Sequence, residues 1–184
     1  MKYTWITLLV VALIAGCSGI QVSQDYDPAT GFSGLEHFRW ETSVQESTGD
    51  LRLDNPLRNS RIRSAVEQVL KGKGFAPSEN GGSTFLIRYQ ETLNKKLESA
   101  GGIGFGIGSY GRRGGIAIGT GTGNNLRETE EASLTIDFLD PESKTLLWRG
   151  TGTRRFKEYD DPAKASQDIN GLVEKILEQF PPKT

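Results

Sequence analysis

Phe85-Leu86-Ile87-Arg88-Tyr89 and Leu134-Thr135-Ile136-Asp137-Phe138 are the two stretches whose reading decides the fold. In each, apolar residues recur at every second position, the period of a strand with one face against a core. The odd parity of Phe85, Ile87 and Tyr89 continues through Leu93 and Leu97, and again through Ile103, Phe105 and Ile107. After Arg112-Arg113 the parity is even, at Ile116, Ile118, Leu126, Ala132, Leu134, Ile136 and Phe138. Folding the chain at Gly111-Arg112, a Gly-X pair of the type II′ kind, sets Ile107 against Ile116, Phe105 against Ile118 and Leu97 against Leu126. The same fold sets Lys95 against Glu128, Tyr89 against Leu134, Ile87 against Ile136 and Phe85 against Phe138. Such cross-strand pairs stabilise antiparallel ladders. The expectation is one long hairpin over residues 84–139, with its base in a core sheet.

The tip of that hairpin, residues 99–125, concentrates the chain's glycine, with 11 of its 23 glycines between Gly101 and Gly123. One face of the tip carries Ile, Phe and Thr side chains and the other is almost bare. Glycine is entropically costly in strands, so a flexible loop is an equal reading of residues 99–125. Ile103, Phe105, Ile107, Tyr110, Ile116 and Ile118 are the candidate contacts of this tip with a partner or a membrane.

Outward from the hairpin, Ile20, Val22 and Gln24 alternate with polar residues in a first strand, and Phe38 and Trp40 mark a second. Asp27-Pro28-Ala29-Thr30-Gly31 is a turn, and Ser43 to Leu53 reads as a polar loop. Asn55-Pro56 opens a helix, asparagine as N-cap and proline at the first helical position. Ile62, Ala65, Val66, Val69 and Leu70 form its apolar stripe, Gly72 and Gly74 end it, and Arg58, Arg61, Arg63, Glu67 and Lys71 are assigned to a solvated face. Beyond the hairpin, Asp140-Pro141-Glu142-Ser143 is a turn, and Leu146 and Trp148 lie on a strand running toward Phe156. Asp161-Pro162 opens a second helix with its stripe at Ile169, Leu172, Val173, Ile176, Leu177 and Phe180, stopped by Pro181-Pro182. The order is β-β-α-β-β-β-α. An antiparallel sheet with both helices on one face would bury both stripes in a two-layer α+β domain.

The N-terminus reads as an address. Met1-Lys2-Tyr3 is a short positive region, Thr4 to Leu13 is mostly apolar, and Ala15-Gly16 supplies small residues. That is a secretory signal layout over residues 1–16, too short for a transmembrane helix. Leu13-Ile14-Ala15-Gly16-Cys17 resembles the bacterial lipobox, in which the cysteine is lipidated and becomes the first mature residue. One acyl chain holds a protein only marginally, at ~0.8 kcal/mol per buried CH₂. A lipoprotein of this motif would carry three fatty acyl chains, palmitate among them, and stay anchored. Ser18 in such proteins permits transfer to the outer membrane. Residues 17–184 then form a single periplasmic domain. Its first strand starts about three residues from the lipid, a reach of roughly 10 Å.

The sequence has 22 basic and 23 acidic residues, so it lacks the positive field that nucleic-acid binding needs. A single cysteine, Cys17, cannot form an internal disulfide. Gly106-Ile107-Gly108-Ser109-Tyr110-Gly111 matches a dinucleotide fingerprint in letters, but Arg112-Arg113-Gly114-Gly115 cannot open the helix that fingerprint requires. His37 is the only histidine and reads as structural; no metal site or cofactor is expected. Asp137, Asp140 and Glu142 read as solvated turn acids rather than an acid–base pair, and Trp148-Arg149-Gly150 as a strand and its end. No serine has nucleophile-elbow spacing. No catalytic residue is assigned.

Several segments together resemble a known family. They are Asp25-Tyr26-Asp27 with Phe32-Ser33 and Phe38-Arg39-Trp40, then Arg61-Ile62-Arg63-Ser64-Ala65-Val66 through Lys73-Gly74-Phe75, a glycine-rich insert, Leu134-Thr135-Ile136-Asp137, and Leu147-Trp148-Arg149-Gly150. Their order and spacing resemble the domain of unknown function 4136 family of bacterial envelope lipoproteins, over nearly the whole mature chain. The resemblance implies a lipoprotein of α+β fold and carries over no activity. The expected function is a non-enzymatic binding or structural module, held by its lipid on the periplasmic face of the outer membrane, with an envelope protein or a second copy of itself as partner. One alternative is a lipoprotein that self-assembles through the glycine-rich hairpin or touches the membrane with it. A lone hairpin would leave unpaired edges in lipid, so spanning requires a closed ring of subunits. The other alternative is an unrecognised periplasmic hydrolase.

Overall fold

The strand ladder begins with β1 (Gln21–Tyr26) and β2 (His37–Trp40). Helix α1 (Pro56–Gly72) follows, then the two-residue β3 (Ala76–Pro77). The long strands β4 (Phe85–Ser99) and β5 (Leu126–Leu139), β6 (Leu146–Arg155) and helix α2 (Pro162–Leu177) complete the chain. The computed structural model describes residues 19–41, 47–78, 82–99 and 126–182. Cys17 and the tip residues Ile103, Phe105, Ile107, Tyr110, Ile116 and Ile118 lie outside the described residues, as does most of segment 99–125.

Among the described residues the strands form one six-stranded sheet in the order β1-β6-β5-β4-β2-β3. It is mixed, which corrects the expectation of an antiparallel sheet. β2 runs parallel to both β3 and β4, whereas β1–β6, β6–β5 and β5–β4 are antiparallel. The physical cause is α1. Inserted between β2 and β4, the helix carries the chain back to the end where β2 began, so β4 sets off in the same direction. β3 is the element missing from the sequence-based order. Thr84 Oγ1 fixes the junction by accepting from the Glu36 and His37 amides at 2.9 Å each and donating to the His37 carbonyl.

The β4–β5 hairpin base exists, but its register differs from the expected one by two residues. Tyr89 lies opposite Ile136 instead of Leu134, Ile87 opposite Phe138 instead of Ile136, and Leu97 opposite Glu128 instead of Leu126. A slip of two keeps every side chain on its face, so periodicity cannot detect it. Charge does: this register sets Arg88 beside Asp137, and Asp137 beside Arg149 of β6. Lys95 sits directly opposite Glu130, yet its ammonium reaches Glu128 diagonally at 2.8 Å.

Both helices lie on the sheet face presented by Phe85, Ile87, Leu134, Ile136, Phe138 and Trp148, in one hydrophobic cluster. Asn55 caps α1 by accepting from the Leu57 amide at 2.9 Å, and Asp161 caps α2 by accepting from the Ala163 amide at 2.8 Å. Each cap precedes a proline whose missing N–H costs nothing there. Gly74, with φ +94°, ends α1 and lets the Phe75 amide reach back to the Leu70 carbonyl. Phe180 closes the core against Phe138, with ring centroids 4.5 Å apart. Phe138 meets Phe85 at 4.9 Å and Trp148 at 5.0 Å. Full burial of each such ring stabilises by about 1.5–3 kcal/mol.

The segment Trp148-Arg149-Gly150 is not the end of a strand; β6 runs on to Arg155. Its glycines are packing devices. A Cβ on Gly150 would collide with the indole of Trp148 and with Ile176, and one on Gly152 would stand 2.7 Å from both Ile176 and Leu172. α2 therefore approaches β6 over bare backbone, and Trp148 spreads into the room that Gly150 leaves.

Candidate functional site: an ion-paired cleft at the helix starts

Inward parity does not end with the apolar residues. Glu91 of β4 follows Phe85, Ile87 and Tyr89 on the helix side, and Arg154 of β6 follows Trp148 there. Arg58 stands four residues before Ile62, on the inner stripe of α1. Its assignment to a solvated face is corrected accordingly. Its guanidinium meets the Glu91 carboxylate from Nε at 2.8 Å and Nη2 at 2.6 Å, with side-chain exposures of 13% and 2%. Arg63 and Glu67 are not free on that face either. Arg63 stacks on the Trp40 ring at 4.6 Å, and Glu67 accepts from Trp40 Nε1 at 2.9 Å.

These inward charges open into a cleft of ≈ 310 Å³ between the start of α1, the segment after β6 and the start of α2. Arg52, Arg58, Arg61, Phe156, Lys157 and Tyr159 are among its walls. Phe156 is the floor: the Arg52 guanidinium lies 4.9 Å from its ring centroid and that of Arg58 5.9 Å away. Arg52 is clamped twice. It grips Asp50 from Nε at 3.0 Å and Nη2 at 2.7 Å, and Glu130 from Nη1 at 2.8 Å and Nη2 at 2.9 Å. Arg154 pairs with the Asp168 carboxylate and donates to the Asp168 carbonyl at 3.1 Å.

The electrostatics follow from this pairing. The side-chain hydrogen bond from Arg52, then its backbone N–H, pulls Asp50 down to about 2. The same guanidinium holds Glu130 below the usual carboxylate range. Burial, then the charge of Arg58, pushes Arg154 down to about 10, still protonated at neutral pH. Held below the usual range, neither Asp50 nor Glu130 is poised to donate a proton near neutrality.

The opposite sheet face is polar. Asp137 is buried there, 4% exposed, between Arg149 (Nε at 2.6 Å, Nη2 at 2.8 Å) and Arg88 (Nη2 at 3.2 Å). It is thus a mid-strand acid in an arginine clamp and not a solvated turn acid. Ser133 and Thr153 hydroxyls meet at 2.8 Å, and Thr135 and Thr151 at 3.2 Å. Asp140 does occupy the turn, where its carboxylate accepts from the Glu142 and Ser143 amides and the Ser143 hydroxyl. His37, at the start of β2, leaves about half its side chain exposed. Among the described residues no three His, Cys, Asp or Glu side chains gather as a metal-ligand group. No helix among them is long and apolar enough to cross a membrane.

Fold and cleft together define a two-layer α+β domain whose interlayer space is apolar at one end and ion-paired at the other. The chain belongs to the family described as Domain of unknown function (DUF4136), whose model matches residues 22–182. No curated protein matches it in sequence. Among solved structures it is similar to a PDZ domain protein from Parabacteroides distasonis, with 12% identity and a TM-score of 0.53. That match covers 90% of this chain, and the chain spans 37% of the length of that protein. The PelC dodecamer from Paraburkholderia phytofirmans is also similar, at 13% identity and a TM-score of 0.47, covering 90% of this chain and 99% of that one. At such identities the likeness concerns the fold.

Proposed function

We propose that this chain is a lipid-anchored, non-enzymatic binding or structural module on the periplasmic face of the outer membrane. The observation that carries the non-enzymatic reading is the cleft, where the carboxylates of Asp50, Glu91, Glu130 and Asp168 are all committed to guanidinium groups. A hydrolytic site needs a carboxylate or imidazole free to exchange a proton with substrate. The address rests on Leu13–Cys17 and Ser18. Palmitate labelling of growing cells, followed by membrane fractionation, tests it. Wild type is expected to carry label at outer-membrane density, and Cys17→Ala is expected to lose the label and most of its outer-membrane fraction. Unlabelled, soluble wild type overturns the reading.

One observation favours a second reading, association between copies. β6 accompanies β5 only as far as Glu131, and β2 accompanies β4 only at residues 85–87. Lys96–Ser99 and Thr129–Leu126 therefore pair with each other alone among the described residues, as a two-stranded arm with open edges. Open edges are templates for a further strand. Sizing the same preparations with and without residues 101–123 decides it: an unchanged oligomeric state removes this reading.

A further inference from the structure

The end of the sheet where the arm departs gathers features that the ion pairs do not use. β1 begins there, with Gln21 opposite Thr153 of β6. Both helices start there too. Leu51 is 87% exposed and Leu57 is 65% exposed, the two most exposed large apolar side chains among the described residues. Leu51 is not on a loose loop. The Asp54 carboxylate accepts from the Thr48 and Gly49 amides and from the Ser47 and Thr48 hydroxyls, and Asp50 holds Arg52 through its amide and guanidinium. Two residues further on, Leu53 is 1% exposed. A firmly bonded turn thus directs one leucine into the protein and holds another out.

We infer that this end of the domain seats on a lipid surface, with Leu51 and Leu57 entering the boundary between headgroups and acyl chains. The inference rests on the lipid anchor proposed above. Gln21 is four residues from Cys17, at most ~14 Å of extended chain. Arg52, next to Leu51, is bonded to Glu130 of β5, two strand spacings or roughly 10 Å from β1. An anchor at Cys17 therefore brings the leucines to the bilayer, and lipid is the apolar phase that anchor supplies. The exposed charges nearby, Lys157 and Lys164 with Glu158 and Asp160, are of both signs and suit zwitterionic headgroups. Lys96 and Glu128 on the arm and Lys95 at its base are more than half exposed, and such charges keep the arm in the headgroup layer rather than in hydrocarbon.

The test uses the full chain, expressed with its own signal and reconstituted in vesicles of phosphatidylethanolamine and phosphatidylcholine. A lipidated Cys17 has no free thiol, so Leu51→Cys, Leu57→Cys and Glu142→Cys each take one environment-sensitive fluorophore. Glu142 lies in the exposed turn at the other end of β5. Positions 51 and 57 are expected to be quenched several-fold more than 142 by nitroxide lipids, and shielded from aqueous iodide. Equal quenching at the three positions overturns the inference. Fluorophore uptake by wild type would show an unmodified Cys17 and defeat the anchor reading separately. The unanchored chain then decides the contact: several-fold weaker vesicle binding by the Leu51→Ser/Leu57→Ser double variant sustains it, and unchanged or absent binding ends it.

Discussion

The two ends of the space between helices and sheet solve the same problem with opposite materials. At one end Phe85, Phe138, Trp148 and Phe180 fill it with rings, all of them 0–1% exposed. At the other, Arg58, Glu91, Arg154 and Asp168 fill it with paired charge. A single strand spans both regimes, since β4 turns Phe85, Ile87, Tyr89 and Glu91 inward in succession. Rings tolerate substitution by volume, whereas paired charges tolerate only joint removal. A buried ion pair gains little over an apolar pair of equal volume, but half of one is costly.

The largest expected effect comes from breaking one pair. Arg58→Met leaves the Glu91 carboxylate buried without its cation and should lower unfolding free energy by about 3–5 kcal/mol in urea melts. Arg58→Met with Glu91→Met should recover most of that loss; no recovery would mean that the pair itself stabilises the fold. The next effect probes the middle of the interlayer space. Gly152→Ala places a methyl against Ile176 and Leu172, and should cost about 1–3 kcal/mol by the same measurement through overpacking.

The smallest effect concerns pH at the cleft mouth. Asp50 has a folded pKa near 2 against an ordinary 3.8, so its pairing contributes fully above 3.8 and is lost as pH falls toward about 2. Thermal melts across that window should show a shallower acid slope in Arg52→Ala than in wild type. An unchanged slope would show that Arg52 and Asp50 are uncoupled in solution.

Much of this comparison was legible as periodicity. Parity placed Phe85, Ile87, Tyr89, Leu134, Ile136 and Phe138 on one face, and helical spacing placed Ile62, Ala65, Val66 and Leu70 against them. The same two rules applied to charged residues would have turned Glu91 and Arg58 inward together. Treating charge as a sign of solvent concealed the pair. Register escaped because alternation repeats every two residues, and the row that discriminates, Arg88–Asp137–Arg149, needs a third strand in place. The parallel pairing of β2 escaped because four residues carry little directional signal, although the strand-helix-strand succession through α1 implied it. The hydrophobic residues proposed at the hairpin tip, and Cys17 itself, belong to segments outside the described residues.

The position of β1 has a kinetic consequence. Among the described residues its one neighbour in the sheet is β6, and Trp148 Nε1 donates to the Gln24 side chain across 124 positions of sequence. The first strand of the sheet must therefore wait, unpaired, until the last strand has been made. Loop closure over that distance slows folding. A chain interrupted before Leu146 has no site for its own beginning, so the edge of the sheet reports whether synthesis has passed β6.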